Sequence, residues 1–584
     1  MKRWFRYIKP YLLYFILGPL CMIVEVVGEV LMPLYLAEVI TGAVEGTLTT
    51  GGSMWVMVKM IGTAIMMMVG GVGGSYFGAK ASVNFAADLR ADLFRRVQGY
   101  SFANIDKFST GSLVTRLTND VSQMQMMINM MLRMMLRSPG MLIGGVIMAI
   151  RLSPSLSVVM AVTIPLLLAS ITFLIARGMP RFAKMQTKID ALNSTVQENI
   201  TNVRVVKSFT REEFETEKFQ KANGDLKAAG MSAMKNMIFM QPVQTLFMYI
   251  TTGLVIWFGS QLVIGNFDAG ITTFGVGELS AFINYVSQIL MSLMMVTMML
   301  MFSSRALASA KRIAEVLDEQ VDIKDGENAD AEATVERGEI EFKDVTFRYY
   351  KNSAEPVLEN IDLKIPAGST VGIIGSTGCG KTTLVSLIPR LYDTDCGEVL
   401  IDGRSVKDYT LYNLREGVGM VLQKNVLFSG TIEENLRWGK EDATDEELFA
   451  AAESAQADKF VKSFTMGYQT ELGQGGVNVS GGQKQRLCIA RALLKSPKII
   501  ILDDSTSAVD TATEAQIRRA FREELAHSTK IIIAQRISSV RDADMIVVMD
   551  DGRITGVGTH AELMESNIEY QEIYNSQISG KDGE

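Results

Sequence analysis

The sequence predicts a multi-domain protein in which an α-helical membrane domain is followed by an α/β domain. The first observation is a split in composition, because only five of the 37 methionines lie after residue 338. The second is a set of long apolar segments confined to the first half of the chain. The third is a series of short alternating strands in the second half, one of which leads into a glycine-rich loop. A chain of 584 residues is also long enough for at least two domains.

The expected domain boundaries follow this split. We expect the membrane domain over residues 1–315 and the α/β domain over residues 338–584. The stretch between them, 316–337, is polar and acidic, which is typical of a linker.

Six apolar segments are candidates for membrane-spanning helices, which need about 20 mostly apolar residues. The basic N-terminus should stay in the cytosol, and an even number of spans returns the chain there at residue 303. The expected outer loops "EGTLTTGGS" and "GNFDAGITTFGV" contain no Lys or Arg, whereas the inner segments contain many. The predicted spans are 12–40, 54–78, 138–152, 154–178, 237–265 and 274–302.

The inner segments 79–137 and 179–236 continue an amphipathic helical pattern well beyond the bilayer. We expect them to form helices that project into the cytosol and turn back. The turns are predicted near Phe108–Leu117 and Val203–Arg211. Such arms could grip a soluble domain below the membrane.

Composition excludes several kinds of site. The formal net charge of −7 gives no reason to expect a nucleic-acid partner. Two histidines in the whole chain argue against a histidine-based metal site. The four cysteines are far apart and form no metal or disulfide pattern, so we expect all of them to be reduced: Cys21, Cys379, Cys396 and Cys488.

Two features of the membrane half have more than one interpretation. Glu25 and Glu29 lie one helical turn apart inside the first span, where acidic groups are costly and usually functional. They could receive a cationic or polar substrate, or pair with Arg133 or Arg137. The methionine-rich runs "MQMMINMMLRMML" and "MSLMMVTMMLM" could fill gaps between helices or form an adaptable binding surface.

The glycine-rich loop "GSTGCGKT" fits the phosphate-binding pattern G-x-x-x-x-G-K-[ST], with Gly375 first and Thr382 last. A predicted strand precedes it and a predicted helix follows it, which is the context that this pattern needs. The backbone N–H groups would surround the phosphates and Lys381 would reach the outer ones. The hydroxyl of Thr382 could hold Mg²⁺.

A second strand, "KIIILDD", supplies acidic groups to the same site. Asp503 follows four aliphatic residues and would hold the Mg²⁺ shell. Between the two strands, Ser480, Gly481, Gly482 and Gln483 should open a helix whose N-terminus suits an anion. A P-loop protein does not need that element for its own site, so we expect it to serve the nucleotide of another chain.

On these motifs the chain resembles an ATP-binding cassette (ABC) exporter half-transporter over essentially all its residues. Tyr349 in "VTFRY" matches the aromatic that stacks on adenine, and Gln423 in "VLQKNVLFSGTIEENL" matches the glutamine of the Q-loop. "VSGGQ" resembles the signature motif, "ILDD" resembles Walker B, and "SAVD" resembles the D-loop, which ends at Asp510. In the membrane half, "FSTGSLVTRLTNDV" and "NVRVVKSFTREE" are similar to coupling-helix regions, which turn the chain in the cytosol.

The resemblance implies a six-span α-helical membrane domain with long cytosolic extensions, joined to an α/β P-loop ATPase domain with a helical subdomain. It implies ATP and Mg²⁺ as cofactors, with Thr382, Gln423 and Asp503 as metal contacts. The ATP contacts that it implies are Tyr349, Gly375, Ser376, Thr377, Gly378, Cys379, Gly380, Lys381, Thr382, Thr383, Ser480, Gly481, Gly482, Gln483 and Asp510.

Two catalytic positions depart from the family pattern. The family places Glu directly after the Walker B Asp, where this chain has Asp504. The family has a γ-phosphate-sensing His after the next strand, where this chain has Gln535. Aspartate is one methylene shorter, and a carboxamide carries neither a proton nor a positive charge. We expect ATP to bind but to be hydrolysed slowly, with Asp504, Gln535 and Gln423 nearest to the chemistry.

ABC cassettes dimerise head to tail, so each ATP lies between one chain's Walker motifs and the other chain's signature. The retained signature therefore predicts a heterodimer, in which a homologous half-transporter supplies Glu and His for the competent site. The expected function is export of small hydrophobic or amphipathic compounds across the cell membrane, with the N-terminus and the cassette in the cytosol. The alternatives are an ATP-binding regulatory or gating subunit, and a homodimeric lipid or peptide exporter.

Overall fold

The structure, a computed structural model, divides by its contacts into two units. Unit 1 comprises Met1–Arg96 and Gly111–Asp318, and unit 2 comprises Val97–Thr110 and Glu319–Glu584. The residues described are 2–46, 49–268, 274–350, 353, 355–504 and 511–579.

Up to residue 318 the described chain is helical, as its long apolar and amphipathic runs predict. A 3₁₀ turn (Lys9–Tyr11) joins the first two helices, and a π-helical turn (Arg116–Asp120) lies between the fifth and the sixth. The helices are α1 (Lys2–Ile8), α2 (Leu12–Val44), α3 (Thr50–Gln98), α4 (Phe102–Lys107), α5 (Thr110–Thr115), α6 (Val121–Met134), α7 (Arg137–Leu152), α8 (Pro154–Thr201), α9 (Val203–Ser208), α10 (Glu212–Met237), α11 (Met240–Asp268) and α12 (Val276–Asp318).

Among the described residues, six helical segments are long and apolar enough to cross a membrane, and each of the six predicted spans overlaps one of them. α3 has 49 residues and α8 has 48. At 1.5 Å per residue each is about 70 Å long, more than twice the hydrocarbon thickness of a bilayer. The prediction that these helices continue past the membrane is therefore confirmed.

Small residues let the membrane helices approach closely. A Cβ at Gly70 of α3 would lie 2.8 Å from the backbone oxygen of Cys21 on α2. On α7, a Cβ at Gly145 would lie 2.8 Å from the side chain of Ile289 on α12. No hydrophobic effect drives helices together in lipid. Close van der Waals packing of this kind therefore stabilises their association. Around these contacts, α12 contributes fully buried aromatic residues such as Tyr285 to the core.

The first cytosolic turn lies earlier in the chain than the predicted Phe108–Leu117. The short helix α4 makes the reversal, and the returning helix α5 begins at Thr110, so the "TGS" of "STGS" lies in its first turn. Ser101 and Asn104 cap α4 reciprocally, each side chain accepting the backbone N–H of the other at 3.2 Å. A capping box of this kind starts a helix locally. The second turn is where it was predicted, because α9 lies within Val203–Arg211.

The acids of the first span pair with Arg137, one of the two arginines considered from the sequence. Its Nη2 lies 3.2 Å from Oε1 of Glu25 and 2.5 Å from Oε1 of Glu29. A third helix joins the cluster, since Nε2 of Gln288 donates to the backbone oxygen of Glu29 at 3.0 Å. Arg133 is exposed instead. The guanidinium of Arg137 joins α7 to α2, and the Gln288 hydrogen bond joins α12 to the same stretch of α2.

Arg137→Gln should therefore destabilise unit 1 strongly, whereas Arg133→Gln should not. The variant leaves two carboxylates without their cation in a membrane span, and breaking a buried ion pair costs about 3–5 kcal/mol. We expect a clear fall in the melting temperature of the detergent-solubilised protein for Arg137→Gln, and little change for the matched Arg133→Gln. Equal melting temperatures for the two variants would contradict this role.

The described residues of the α/β part of unit 2 form two main sheets and one two-stranded sheet, β7-β8. One main sheet has the order β2-β1-β4-β5 and is antiparallel. The other has the order β12-β11-β3-β10-β9-β6 and is parallel except for its edge strand β12. The strands are β1 (Ile340–Phe347), β2 (Leu358–Ile365), β3 (Thr370–Gly375), β4 (Cys396–Ile401), β5 (Arg404–Ser405), β6 (Val418–Val421), β7 (Gly430–Thr431), β8 (Glu471–Leu472), β9 (Ile499–Asp503), β10 (Thr529–Ile533), β11 (Met545–Asp550) and β12 (Arg553–Gly558).

Helices cover the parallel sheet and form the expected helical subdomain, whose apolar core also includes residues of β6 and β9. The residues before β1 pack on the sheets, where Asp330 pairs with Arg404 at 2.9 Å. The helices of this part are α13 (Lys381–Ser386), α14 (Leu411–Glu416), α15 (Ile432–Arg437), α16 (Asp445–Ser454), α17 (Asp458–Ser463), α18 (Gly481–Leu494), α19 (Thr511–Glu524), α20 (His560–Ser566) and α21 (Ile568–Ser579).

Candidate nucleotide-binding site

The sequence motifs meet at the carboxyl edge of the parallel sheet. The glycine-rich loop follows β3, Asp503 ends β9, and Gln535 comes just after β10, which lies between those two strands. The register pairs Ile533 of β10 with Asp503 of β9. The carboxyl ends of parallel strands are where open α/β sheets bind their ligands.

The loop between β3 and α13 has the backbone of a phosphate-binding loop. Gly378 and Gly380 have φ values of 91° and 96°, which disfavour any residue with a Cβ. A Cβ at Gly375 would lie 2.0 Å from the backbone oxygen of Met549. Nζ of Lys381 lies 2.8 Å from O of Gly375 and 2.6 Å from O of Ser376, so its ammonium is held across the loop.

Thr382 and Asp503 lie side by side. The Thr382 hydroxyl lies 3.0 and 3.2 Å from the two carboxylate oxygens of Asp503. Burial raises the pKa of Asp503, and the neighbouring Asp504 raises it further. One hydroxyl and one carboxylate are hard oxygen ligands of the kind that Mg²⁺ takes beside substrate phosphates. These two residues therefore fit the expected metal.

Asp504 is held by Gln535, the other unusual position. Oδ2 of Asp504 accepts a hydrogen bond from Nε2 of Gln535 at 3.0 Å. The backbone of Asp504 is left-handed, with φ at 46°, and its N–H donates to the oxygen of Ile533 at 3.0 Å. Burial raises the pKa of Asp504, against the opposing effects of Arg536, Lys381 and the Gln535 hydrogen bond. The two substituted positions thus form one contact, which the sequence did not indicate.

The other expected contacts lie around this edge. The hydroxyl of Tyr349 lies 2.9 Å from Oγ1 of Thr383, in the first turn of α13 directly after the loop. Gln423 is exposed and follows β6, the neighbour of β9. Thr377 lies in the loop, where Cys379 is buried. Asp510 lies outside the described residues.

The signature residues open α18, as predicted. Ser480 caps the helix, and its Oγ accepts the N–H of Gln483 while the Gln483 side chain accepts the N–H of Ser480. A Cβ at Gly481 would meet no atom within 4 Å. Gly482 continues the first turn. The first turn of this helix is therefore well formed and has open space at Gly481.

Three residues at the site had no signal in the sequence. Oδ1 of Asp550, which ends β11, accepts from the hydroxyl of Ser376 at 3.1 Å. The side chain of Gln485, buried in α18, lies 3.4 Å from the backbone oxygen of Asp504. Tyr392 packs edge-on against Tyr349, with ring centroids 5.2 Å apart. Each contact joins residues far apart in the chain, so no local pattern could reveal it.

Comparisons with known proteins agree with this arrangement. Residues 15–293 match the ABC transporter transmembrane region, and residues 358–507 match the ABC transporter domain. The chain is 38% identical to the uncharacterized ABC transporter ATP-binding protein YfiB of Bacillus subtilis, over 100% of this chain and 99% of that protein. It is 33% identical to the putative multidrug export ATP-binding/permease protein YgaD of the same organism, over 99% of each.

A solved structure shares the fold. A bacterial Atm1-family ABC exporter with ATP bound superposes with a TM-score of 0.76, covers 98% of each chain and is 24% identical in sequence. Together with the six span-forming helices, these matches establish a multi-pass membrane protein whose nucleotide-binding domain is cytosolic. The chain belongs to the ABC transporter family, and it carries the transmembrane region and the ABC domain in one polypeptide.

Proposed function

We propose that the chain is one subunit of a heterodimeric ATP-driven exporter, and that its own Walker site binds ATP but hydrolyses it poorly. The observation that carries the proposal is the hydrogen bond between Asp504 and Gln535 beside an otherwise complete phosphate site. The partner is a homologous half-transporter that supplies Glu and His to the second, competent site.

The residues that would bind the nucleotide are in place. Lys381 lies across the glycine-rich loop, and Tyr349 contacts Thr383 in the helix that follows it. Thr382 and Asp503 would hold Mg²⁺, whose charge would offset that of the outer phosphates. These groups support ATP binding independently of Asp504.

Hydrolysis needs a group that orients the attacking water and accepts its proton. Asp504 is one methylene shorter than the usual Glu, and its Oδ2 already accepts from Gln535. A misplacement of about 1 Å can cost on the order of 10²-fold in rate. Gln535 can donate a hydrogen bond to phosphate but cannot carry a proton. Because both changes affect one reaction centre, their separate effects on the rate cannot simply be multiplied.

The intact signature supports a second site built with another chain. Ser480 to Gln483 form a capped helix start with open space at Gly481. Backbone N–H groups and the helix dipole favour an anion at such an end. In a head-to-tail pair, this chain's signature would complete the partner's ATP site, whereas the partner's signature would complete this one.

Transport follows from the membrane unit. ATP binding would bring the two cassettes together, and the cytosolic arms would carry that closure to the six spans. The tip of the second arm exposes apolar side chains, with Phe209 at 73% and Val205 at 54%, which suits docking on a partner cassette. Hydrophobic or amphipathic substrates, and the export direction, are supported by the similarity to YgaD.

Co-purification with the partner and transport in membrane vesicles test the proposal. We expect the chain alone to bind ATP with little turnover. We expect the pair to accumulate a hydrophobic cationic dye in inside-out vesicles in an ATP-dependent way. A pair that hydrolyses ATP without vectorial transport would favour a gating subunit. A chain that transports by itself would favour a homodimeric exporter.

A further inference from the structure

Four aromatic rings of unit 2 form a continuous cluster beside the candidate site. Tyr349 packs edge-on against Phe347 and against Tyr392, with centroid distances of 5.0 and 5.2 Å. Tyr392 also contacts Phe347 at 5.6 Å and Phe102 of α4 at 6.1 Å. Edge-on aromatic pairs prefer a defined mutual orientation, so each ring restricts its neighbours. Tyr392 lies between the site and α4.

Polar contacts fix both ends of this cluster. At one end, the hydroxyl of Tyr349 lies 2.9 Å from Oγ1 of Thr383. At the other end, the hydroxyl of Tyr392 donates to Oδ2 of Asp106 on α4 at 3.1 Å. Burial raises the pKa of Tyr392, and the Asp106 carboxylate raises it further, so the hydroxyl stays a donor at neutral pH.

The helix that carries Asp106 is itself well anchored in unit 2. Lys107 pairs with Glu319 at 2.7 Å. Asn104 donates to the backbone oxygen of Gln320 at 2.9 Å. A short helix held by two contacts to the adjacent residues Glu319 and Gln320 supports the tyrosine hydroxyl. The orientation of Tyr392 therefore depends on α4 as well as on the rings around it.

We propose that Tyr392 is a positioning residue that joins the base-binding ring of Tyr349 to the cytosolic helix α4. Through Tyr392, the position of α4 sets the orientation in which Tyr349 receives the purine. This rests on the proposed function, in which Tyr349 stacks on adenine. This contact would connect the cytosolic arm to the base of the nucleotide rather than to its phosphates.

The physical basis is a difference in binding free energy between orientations of Tyr349. A purine gains most when the ring face it stacks on is already held in place, because less freedom is lost on binding. If one position of α4 raises the affinity for ATP, then by thermodynamic linkage bound ATP favours that position of α4 to the same extent. Tripolyphosphate has no base to stack on the ring of Tyr349, so its affinity should not depend on Tyr392.

The test compares two ligands that differ in the base. Mg-ATP carries the purine, whereas inorganic tripolyphosphate with Mg²⁺ presents only phosphates. In the full-length purified chain, Tyr392→Phe removes the hydrogen bond to Asp106 and keeps the ring. We expect its Kd for ATP to rise about two- to tenfold, as for the loss of one hydrogen bond. The affinity for tripolyphosphate, measured by competition, should not change.

A double-mutant cycle tests the link to α4. Asp106→Ala should raise the Kd for ATP as Tyr392→Phe does, and the double variant should match either single variant, because one bond is removed in each case. Tyr412→Phe is the matched control, since that tyrosine is 76% exposed, and it should leave both affinities unchanged.

The outcomes separate this inference from the proposed function. Failure of both ligands to bind the parent chain would contradict the nucleotide site itself. Equal losses for ATP and tripolyphosphate would assign Tyr392 to general packing and overturn the inference. It would also be overturned by additive effects in the cycle, or by an unchanged affinity for ATP in Asp106→Ala.

Discussion

The double variant Asp504→Glu/Gln535→His should hydrolyse ATP about 10²-fold faster than the parent chain when each is purified as a homodimer, whose second copy supplies the signature. The substitutions lengthen the carboxylate by one methylene and replace the carboxamide by a group that can carry a proton. A correctly placed proton acceptor contributes typically 10²–10⁴-fold. They also remove the donor that now occupies Oδ2 of Asp504. Steady-state release of phosphate in detergent measures the effect.

The single variants should gain less than the double variant, because the two positions are in direct contact. In Asp504→Glu, the carboxylate still has Gln535 as a donor beside it, and in Gln535→His the acid is still short. Glutamate also tolerates the left-handed backbone at this position, φ 46°, less well than aspartate does. A thermal melt of each variant therefore accompanies the rate measurement.

A third substitution locates the gain. Lys381→Ala in the double-variant background should abolish the new activity, because the lysine belongs to this chain's own phosphate loop. If the double variant binds ATP, melts like the parent and stays as slow, then Asp504 and Gln535 are not the cause of slow hydrolysis. That result would also remove the main reason for expecting a partner.

The second large effect concerns the complete heterodimer, in which Gly481→Asp should abolish most ATP turnover while Asp504→Ala should preserve most of it. Gly481 is the first residue of α18, where an acidic side chain suits the helix dipole and the added atoms meet open space. The chain should therefore still fold. The new carboxylate would face the phosphates of the partner's ATP and repel them.

A matched substitution controls for the added charge. Gly51→Asp also places an acid in the first turn of a helix, and its Cβ also meets no atom within 4 Å, but it lies near the outer end of α3. It should leave turnover unchanged. The asymmetric arrangement would be wrong if Asp504→Ala stopped the complex, or if Gly481→Asp left it active.

Local patterns predicted the site's framework well. The glycine-rich loop, the strand that ends at Asp503 and the capped start of α18 all depend on neighbouring residues, so short windows of sequence contain the information. The six spans were predictable for the same reason, since each is a continuous apolar run. The position of α4 was missed because a Ser101–Asn104 cap is a weak signal among longer helical patterns.

Contacts between distant residues could not be predicted. The bond between Asp504 and Gln535 requires that β9 and β10 be neighbours in register, which the sheet decides. Glu25 and Glu29 pair with Arg137 rather than with Arg133 because of how α7 faces α2, and both arginines fitted the sequence equally well. The contact between Tyr392 and Tyr349 depends on the antiparallel sheet lying beside α13.

The Glu25–Glu29–Arg137 cluster also affects how the protein is made. Synthesis proceeds from the N-terminus, so α2 emerges with both carboxylates long before the guanidinium that neutralises them, which is 108 residues after Glu29. Charged groups at the centre of a membrane helix oppose insertion by about 2.5–3.5 kcal/mol each on translocon scales. The two carboxylates therefore lower the stability of the first span in lipid until α7, which is translated later, supplies Arg137.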